Sequence, residues 1–196
     1  MNRYTFLRLL STAATTPLHH ILAAYPHSFR LMQPEHYHFQ DDGYIPNSRF
    51  PVLLYRNAFT ARSNAGAAWL EKRFATNNWT NSWRNGVYAY HHYHSTSHEV
   101  LGVYAGSARL QLGGEQGQQV HVQAGDILVI PAGVGHKNLG SEQLGIVGAY
   151  PEGRHWDVNR GLPNERPQAD QNIAALPIPA TDPLLGPGQG VPTLWT

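Results

Sequence analysis

The chain has 196 residues, 14% of them charged and 41% hydrophobic, with a formal net charge of +1 and no cysteine. That length suits one well-packed domain with decorations, and the near-neutral charge offers no basic face for phosphates or anionic lipid, so neither nucleic acid nor a membrane is an expected partner. Without cysteine there is no disulfide, thiolate metal site or thiol nucleophile, and any metal falls to the carboxylates and the 12 histidines.

Residues 1–31 carry no acidic side chain, three arginines (Arg3, Arg8, Arg30) and several Ser and Thr, the bias of a targeting segment. The apolar part, 7–22, is interrupted by Thr15, Thr16, Pro17, His19 and His20, which leaves no continuous core for a secretory signal and far too short a run to span a bilayer. The expectation is an amphipathic N-terminal extension, or a protein that starts at Met32, with a cytoplasmic location. Residues 32–161 are expected to form the single domain.

Turn residues at Asp41, Asp42 and Gly43, and again at Pro46 and Asn47, precede an apolar run of strand length at 51–56. Residues 63–76 carry good helix formers, with apolar positions at Ala67, Leu70 and Phe74, and predict the one sizeable helix. After Asn77 and Asn78, residues 79–86 read as a loop, in which Trp83 and Arg84 are candidates for a pocket wall. From Gly86 onward short strands alternate with turns, the rhythm of a sandwich or small barrel: 87–93, 99–104, 108–112, 119–122, 127–130 and 144–150. Beyond Gly161, at 162–196, seven prolines in 35 residues predict an extended tail without helix or central strand. Its Leu176, Ile178, Leu184, Leu185, Leu194 and Trp195 suit packing on the domain or on a neighbouring subunit.

The densest chemistry lies at 91–99. In an extended strand alternate side chains share a face, so His92 and His94 point the same way as Tyr88 and Tyr90, while His91 and Tyr93 point oppositely. Glu99 and His136 can be brought in from neighbouring strands, which predicts a metal site of His92, His94, Glu99 and His136 inside a β-barrel. His91 and His98 are expected to pack or support rather than ligate. Competing motifs fail: an HExxH beginning at His98 needs histidine where Gly102 stands, and 87–104 is too rich in β-branched and aromatic residues to put His94 and His98 on one helical face. No Walker loop, dinucleotide fingerprint or nucleophile elbow is present.

These residues resemble the cupin superfamily. Gly86, His92, His94, Glu99 and Gly106 fit every position of the first germin-like motif, and Gly125, Pro131, Gly133 and His136 fit the second. The second motif departs at its end, where Gly140 stands in place of asparagine and Asn138 lies two residues earlier; this touches the turn, not a ligand. More narrowly, Asp41-Asp42-Gly43, the run Asn81 to Gly86, His91 to His94 and Tyr150 to Gly153 are similar to the YjlB-type single-domain cupins, a likeness that spans 34–195. The resemblance implies an all-β fold, a double-stranded β-helix or jelly-roll barrel with one helix on its N-terminal side and a Pro-rich C-terminal tail. It implies His136 as the third histidine ligand and a homodimer as the smallest assembly.

Three imidazoles and one carboxylate suit one divalent ion per chain, Fe, Mn, Ni or Zn. The expected activity is that of a metal-dependent oxygenase or oxidoreductase acting on a small oxygenated molecule chelated at that centre, with Tyr88 or Tyr90 supplying a proton or hydrogen bond and Glu99 able to act as base. The alternatives are an isomerase working through an enediolate, and a non-catalytic cupin that binds a small molecule or uses its metal structurally.

Overall fold

The computed structural model describes residues 32–196, so the expectations for residues 1–31 lie outside the described residues. In chain order it contains β1 (Glu35–Tyr37), β2 (Val52–Tyr55), α1 (Ser63–Thr76), β3 (Trp79–Asn85), β4 (Glu99–Leu112), β5 (Gln118–Gln123), β6 (Ile127–Ile130), β7 (His136–Pro151), α2 (Gln168–Ala175), β8 (Thr181–Asp182), β9 (Gly186–Pro187) and α3 (Val191–Leu194). No helix among the described residues is long and apolar enough to cross a membrane. The main sheet runs β1-β2-β6-β4-β7-β3, with β5 paired to the later half of β4.

Alternation along the strands sorts the core into two faces. One face gathers Val52, Leu54, Leu101, Val103, Leu110, Leu112, Val120, Val122, Leu128, Ile130 and Ile146 into the barrel interior. The opposite face, with Leu53, Tyr55, Val100, Ile127, Val129, Val147 and Ala149, meets Ala67, Leu70 and Phe74 of α1 and Leu184, Val191 and Trp195 of the tail. Because both faces of β2 and β6 are covered, those strands read as unbroken apolar runs instead of alternating ones. The architecture is the all-β jelly roll, with α1 outside the barrel at the residues predicted for it.

Several boundaries differ from the sequence reading. Residues 79–86 are not a loop: β3 pairs with β7, and a register shift between Thr80 and Trp83, with Asn81 at φ 56°, breaks the alternation that would have revealed it. Residues 87–93 do not form a strand; only His92 and Tyr93 make bridges, to His136 and Asn159. The two strands expected at 99–104 and 108–112 are the single β4, bent through a bulge where Gly106 adopts φ 62°. A Cβ on Gly106 would lie 2.0 Å from the Glu142 carbonyl oxygen, so no other residue fits that bend. The tail is not extended throughout: it ends in the β8–β9 pair and the short α3, with Pro192 in its first turn, and before them comes α2, a two-turn helix in the proline-free stretch between Pro167 and Pro177. Prolines bound that helix without entering it, which is why counting them across the whole tail missed it.

Candidate metal centre

Elements from three parts of the chain meet at one mouth of the barrel. Glu99 opens β4 and shares the inward parity of Leu101 and Val103, so its carboxylate enters the barrel rather than solvent. His136 opens β7, and its backbone exchanges hydrogen bonds with His92: His92 N to His136 O at 3.2 Å, and His136 N to His92 O at 2.9 Å. Tyr93 points away, into a cluster with Ile45 and Ala169, which leaves His92 and His94 directed inward on either side of it. The predicted alternation therefore holds over 92–94, although the strand around it does not form.

The ligating atoms of His92, His94 and His136 lie within 4.8 Å of one another, and all three side chains are buried. Glu99 closes the group, with Oε1 3.5 Å from His94 Nε2 and Oε2 3.3 Å from His136 Nε2. Each imidazole is anchored through its other nitrogen: Nδ1 of His92 donates to Tyr90 O at 3.4 Å, that of His136 to Val134 O at 3.2 Å, and that of His94 to Asp157 O. A carbonyl oxygen only accepts, so Nδ1 carries the hydrogen in each ring and Nε2 keeps its lone pair for the centre. Asp157 is itself held by Ser95 and Asn159.

Electrostatics suit a cation. Burial alone would raise the Glu99 carboxyl, but His94 and His136 beside it outweigh burial and hold it well below the usual carboxylate range. Burial, reinforced by His136 and His94, pushes His92 down to about 3, so it stays neutral. His94 is raised: burial opposes its charged form, and Glu99 overcomes that. Glu99 Oε2 is buried without a hydrogen-bond partner, 3.3 Å from His136 Nε2. Three clustered imidazoles, with a buried carboxylate beside two of them, are a donor set that fits a divalent ion of the Fe, Mn, Ni or Zn type.

A cavity of about 250 Å³ opens onto the histidines and Glu99, walled by Trp83, Arg84, Val87, Tyr88, Leu101, Tyr150 and Trp156. The structure thus places Trp83 and Arg84 in the wall, with Arg84 in a two-pronged pair to Glu71 at 2.7 Å. Tyr88 lines the cavity; Tyr90 does not, but stacks on Tyr88 at 4.9 Å, with the Arg160 guanidinium above it. His91 lies apart, 3.4 Å from Glu115. His98 packs on Trp195 and accepts the Ala132 N–H, and burial lowers it to about 4.

One residue at the centre escaped the sequence reading. Tyr150 donates to Glu99 Oε1 at 2.8 Å, accepts from Trp83 Nε1 at 2.8 Å, and stacks on Trp156 at 4.2 Å. Its signal was parity: Ile146, Gly148 and Tyr150 share the inward face of β7, and Gly148 leaves room for the Trp83 indole, which a Cβ there would meet at 2.2 Å.

Comparison with known proteins places these features. The Cupin domain family profile matches residues 83–145. A protein of Bacillus subtilis (strain 168) named "Uncharacterized protein YjlB" is 43% identical over 161 residues, covering 81% of this chain and 94% of its own. Among solved structures, acireductone dioxygenase from Bacillus anthracis with a cadmium ion in its active centre has 14% identity and a TM-score of 0.38, covering 54% of this chain and 82% of that one. A Bacillus subtilis oxalate decarboxylase variant has 20% identity and a TM-score of 0.34, covering 68% of this chain but 31% of that one. The two structural likenesses are too low to bear on the site. The identity to YjlB along nearly its whole length is decisive, and the chain belongs to the cupin superfamily, with YjlB as a relative.

Proposed function

We propose that this chain is a metal-dependent oxygenase or oxidoreductase acting on a small oxygenated molecule held at a centre of His92, His94, His136 and Glu99. One observation carries the reading: the ligand nitrogens of His92, His94 and His136 lie within 4.8 Å of one another, with the Glu99 carboxylate against two of them, where a cavity opens to solvent. A divalent ion held there would polarise carbonyl, hydroxyl or carboxylate oxygens as a Lewis acid, and a redox-active one would add electron transfer. The rest is done by side chains. At about 250 Å³ the cavity admits a small molecule, and Trp83, Trp156, Leu101 and Val87 give it an apolar lining that restricts water. Tyr88 brings a phenol to the same wall and can give a hydrogen bond or proton to a substrate oxygen, with Tyr90 stacked behind it as support.

The test is elemental analysis of protein purified without a metal-affinity tag, followed by anaerobic reconstitution and oxygen uptake with a panel of hydroxy acids, diketones and phenols. Near one equivalent of Fe or Mn, with uptake on a panel member, is the expected result. Turnover without oxygen uptake would move the reading to an isomerase. Tightly held Zn with no turnover would leave a binding or structural cupin.

A further inference from the structure

We propose that Tyr150 is the positioning residue of this centre: by holding Oε1 of Glu99, it fixes the orientation in which the carboxylate would meet a divalent metal. This rests on the metal-centre reading above and adds how its only carboxylate is set.

The two oxygens of Glu99 have unlike surroundings. Oε1 receives the Tyr150 hydroxyl at 2.8 Å, whereas Oε2 is buried without a hydrogen-bond partner. A carboxylate with neither oxygen held can rotate in its pocket; one oxygen tied to a fixed donor favours a single orientation, with Oε2 the oxygen without a hydrogen bond. Tyr150 is fixed in turn. Its backbone lies in β7 opposite Thr80 of β3, its ring stacks on Trp156, and its oxygen accepts the Trp83 indole N–H at 2.8 Å. Because the phenol oxygen already accepts, its own hydrogen is directed to Glu99, and polarisation along Trp83, Tyr150 and Glu99 strengthens that bond.

The experiment uses full-length protein stripped by chelator and titrated with Mn(II) and Co(II), comparing wild type with Tyr150→Phe and Trp83→Phe. Partners of metal ligands typically change affinity by about 10–100-fold, and Tyr150→Phe is expected to weaken Mn(II) binding by that amount. The visible absorption of bound Co(II) changes as the carboxylate is released, while the melting temperature of the metal-free protein stays near wild type. Trp83→Phe, which removes only the donor to the Tyr150 oxygen, weakens binding in the same direction by a smaller factor. Wild-type affinity in Tyr150→Phe, or weaker binding with an unchanged Co(II) spectrum, overturns the proposal. If Tyr150→Phe does not fold, Trp83→Phe decides it: weaker binding supports the proposal and unchanged binding overturns it. A wild type that binds neither ion removes the metal centre and this inference together, whereas a metal-binding wild type with an unaltered Tyr150→Phe removes the role of Tyr150 alone.

Discussion

Two adjacent histidines have opposite fates, and backbone direction decides between them. His92 shares two backbone hydrogen bonds with His136 and turns its ring to the centre; His91 turns away to Glu115. Replacing His92 or His136 with alanine removes one of three convergent nitrogens, so metal retained after dialysis is expected to fall to near zero in both. His91→Ala is expected to keep the wild-type content, as read by elemental analysis; equal loss in all three would sink the assignment of faces. The chain made the candidate ligands legible because alternation needs only a few extended residues. It left Tyr150 unread because a tyrosine in a strand has the same pattern whether its hydroxyl meets a carboxylate or water.

At the scale of elements, α1 was legible to its boundaries, since Ala67, Leu70 and Phe74 recur at helical spacing and are, with Gly66, the residues it buries. β3 was not, because a bulge shifts parity midway. α2 packs on the early part of the domain through Ala169 and Ile173, and Arg166 just before it bridges the two, reaching Asp41 at 2.7 Å and Asp170 at 2.9 Å. The Arg166 guanidinium beside Asp41 holds that carboxyl below its usual range, against the small opposing effect of burial. A depressed folded value means that the contribution is fully present above the unfolded value of about 3.9 and is lost as pH falls through the lower folded value. With the two side chains 28% and 45% exposed, solvent limits it to about 1 kcal/mol or less. Asp41→Asn should therefore melt slightly lower than wild type at neutral pH, with the difference shrinking as the pH falls below the unfolded value and on through the lower folded one. Thermal melts across that range check this, and a difference that persists in acid would contradict it.

For the whole molecule, the C-terminal tail completes the outer face of the sheet. Trp195 is fully buried, stacks on Phe50 at 5.4 Å, leans on His98 and donates its indole N–H to Pro51 O at 2.9 Å. Asp182 accepts the Tyr55 hydroxyl and the backbone N–H groups of Leu184, Leu185 and Val191, which pins the turn that delivers Trp195. Removing a buried tryptophan side chain typically costs about 3–5 kcal/mol, so Trp195→Ala is expected to lower unfolding stability by that amount in a denaturant titration. A loss under about 1 kcal/mol, the size of a surface change, would show that the tail is dispensable.

The sequence by itself determined a domain of short strands, the helix at 63–76 and the shared direction of His92 and His94, because these depend on local periodicity, while the jelly-roll class followed from the likeness of its two motifs to cupins. Only the tertiary structure decided that 79–85 is a strand, that α2 interrupts the tail, that Trp195 returns to the core beside Pro51, and that Tyr150 meets Glu99. Those contacts join residues 51 to 144 positions apart in the chain, and a bulge or a proline-flanked helix hides the local pattern that would announce them. Long-range packing sets them, and no short window of sequence contains both partners.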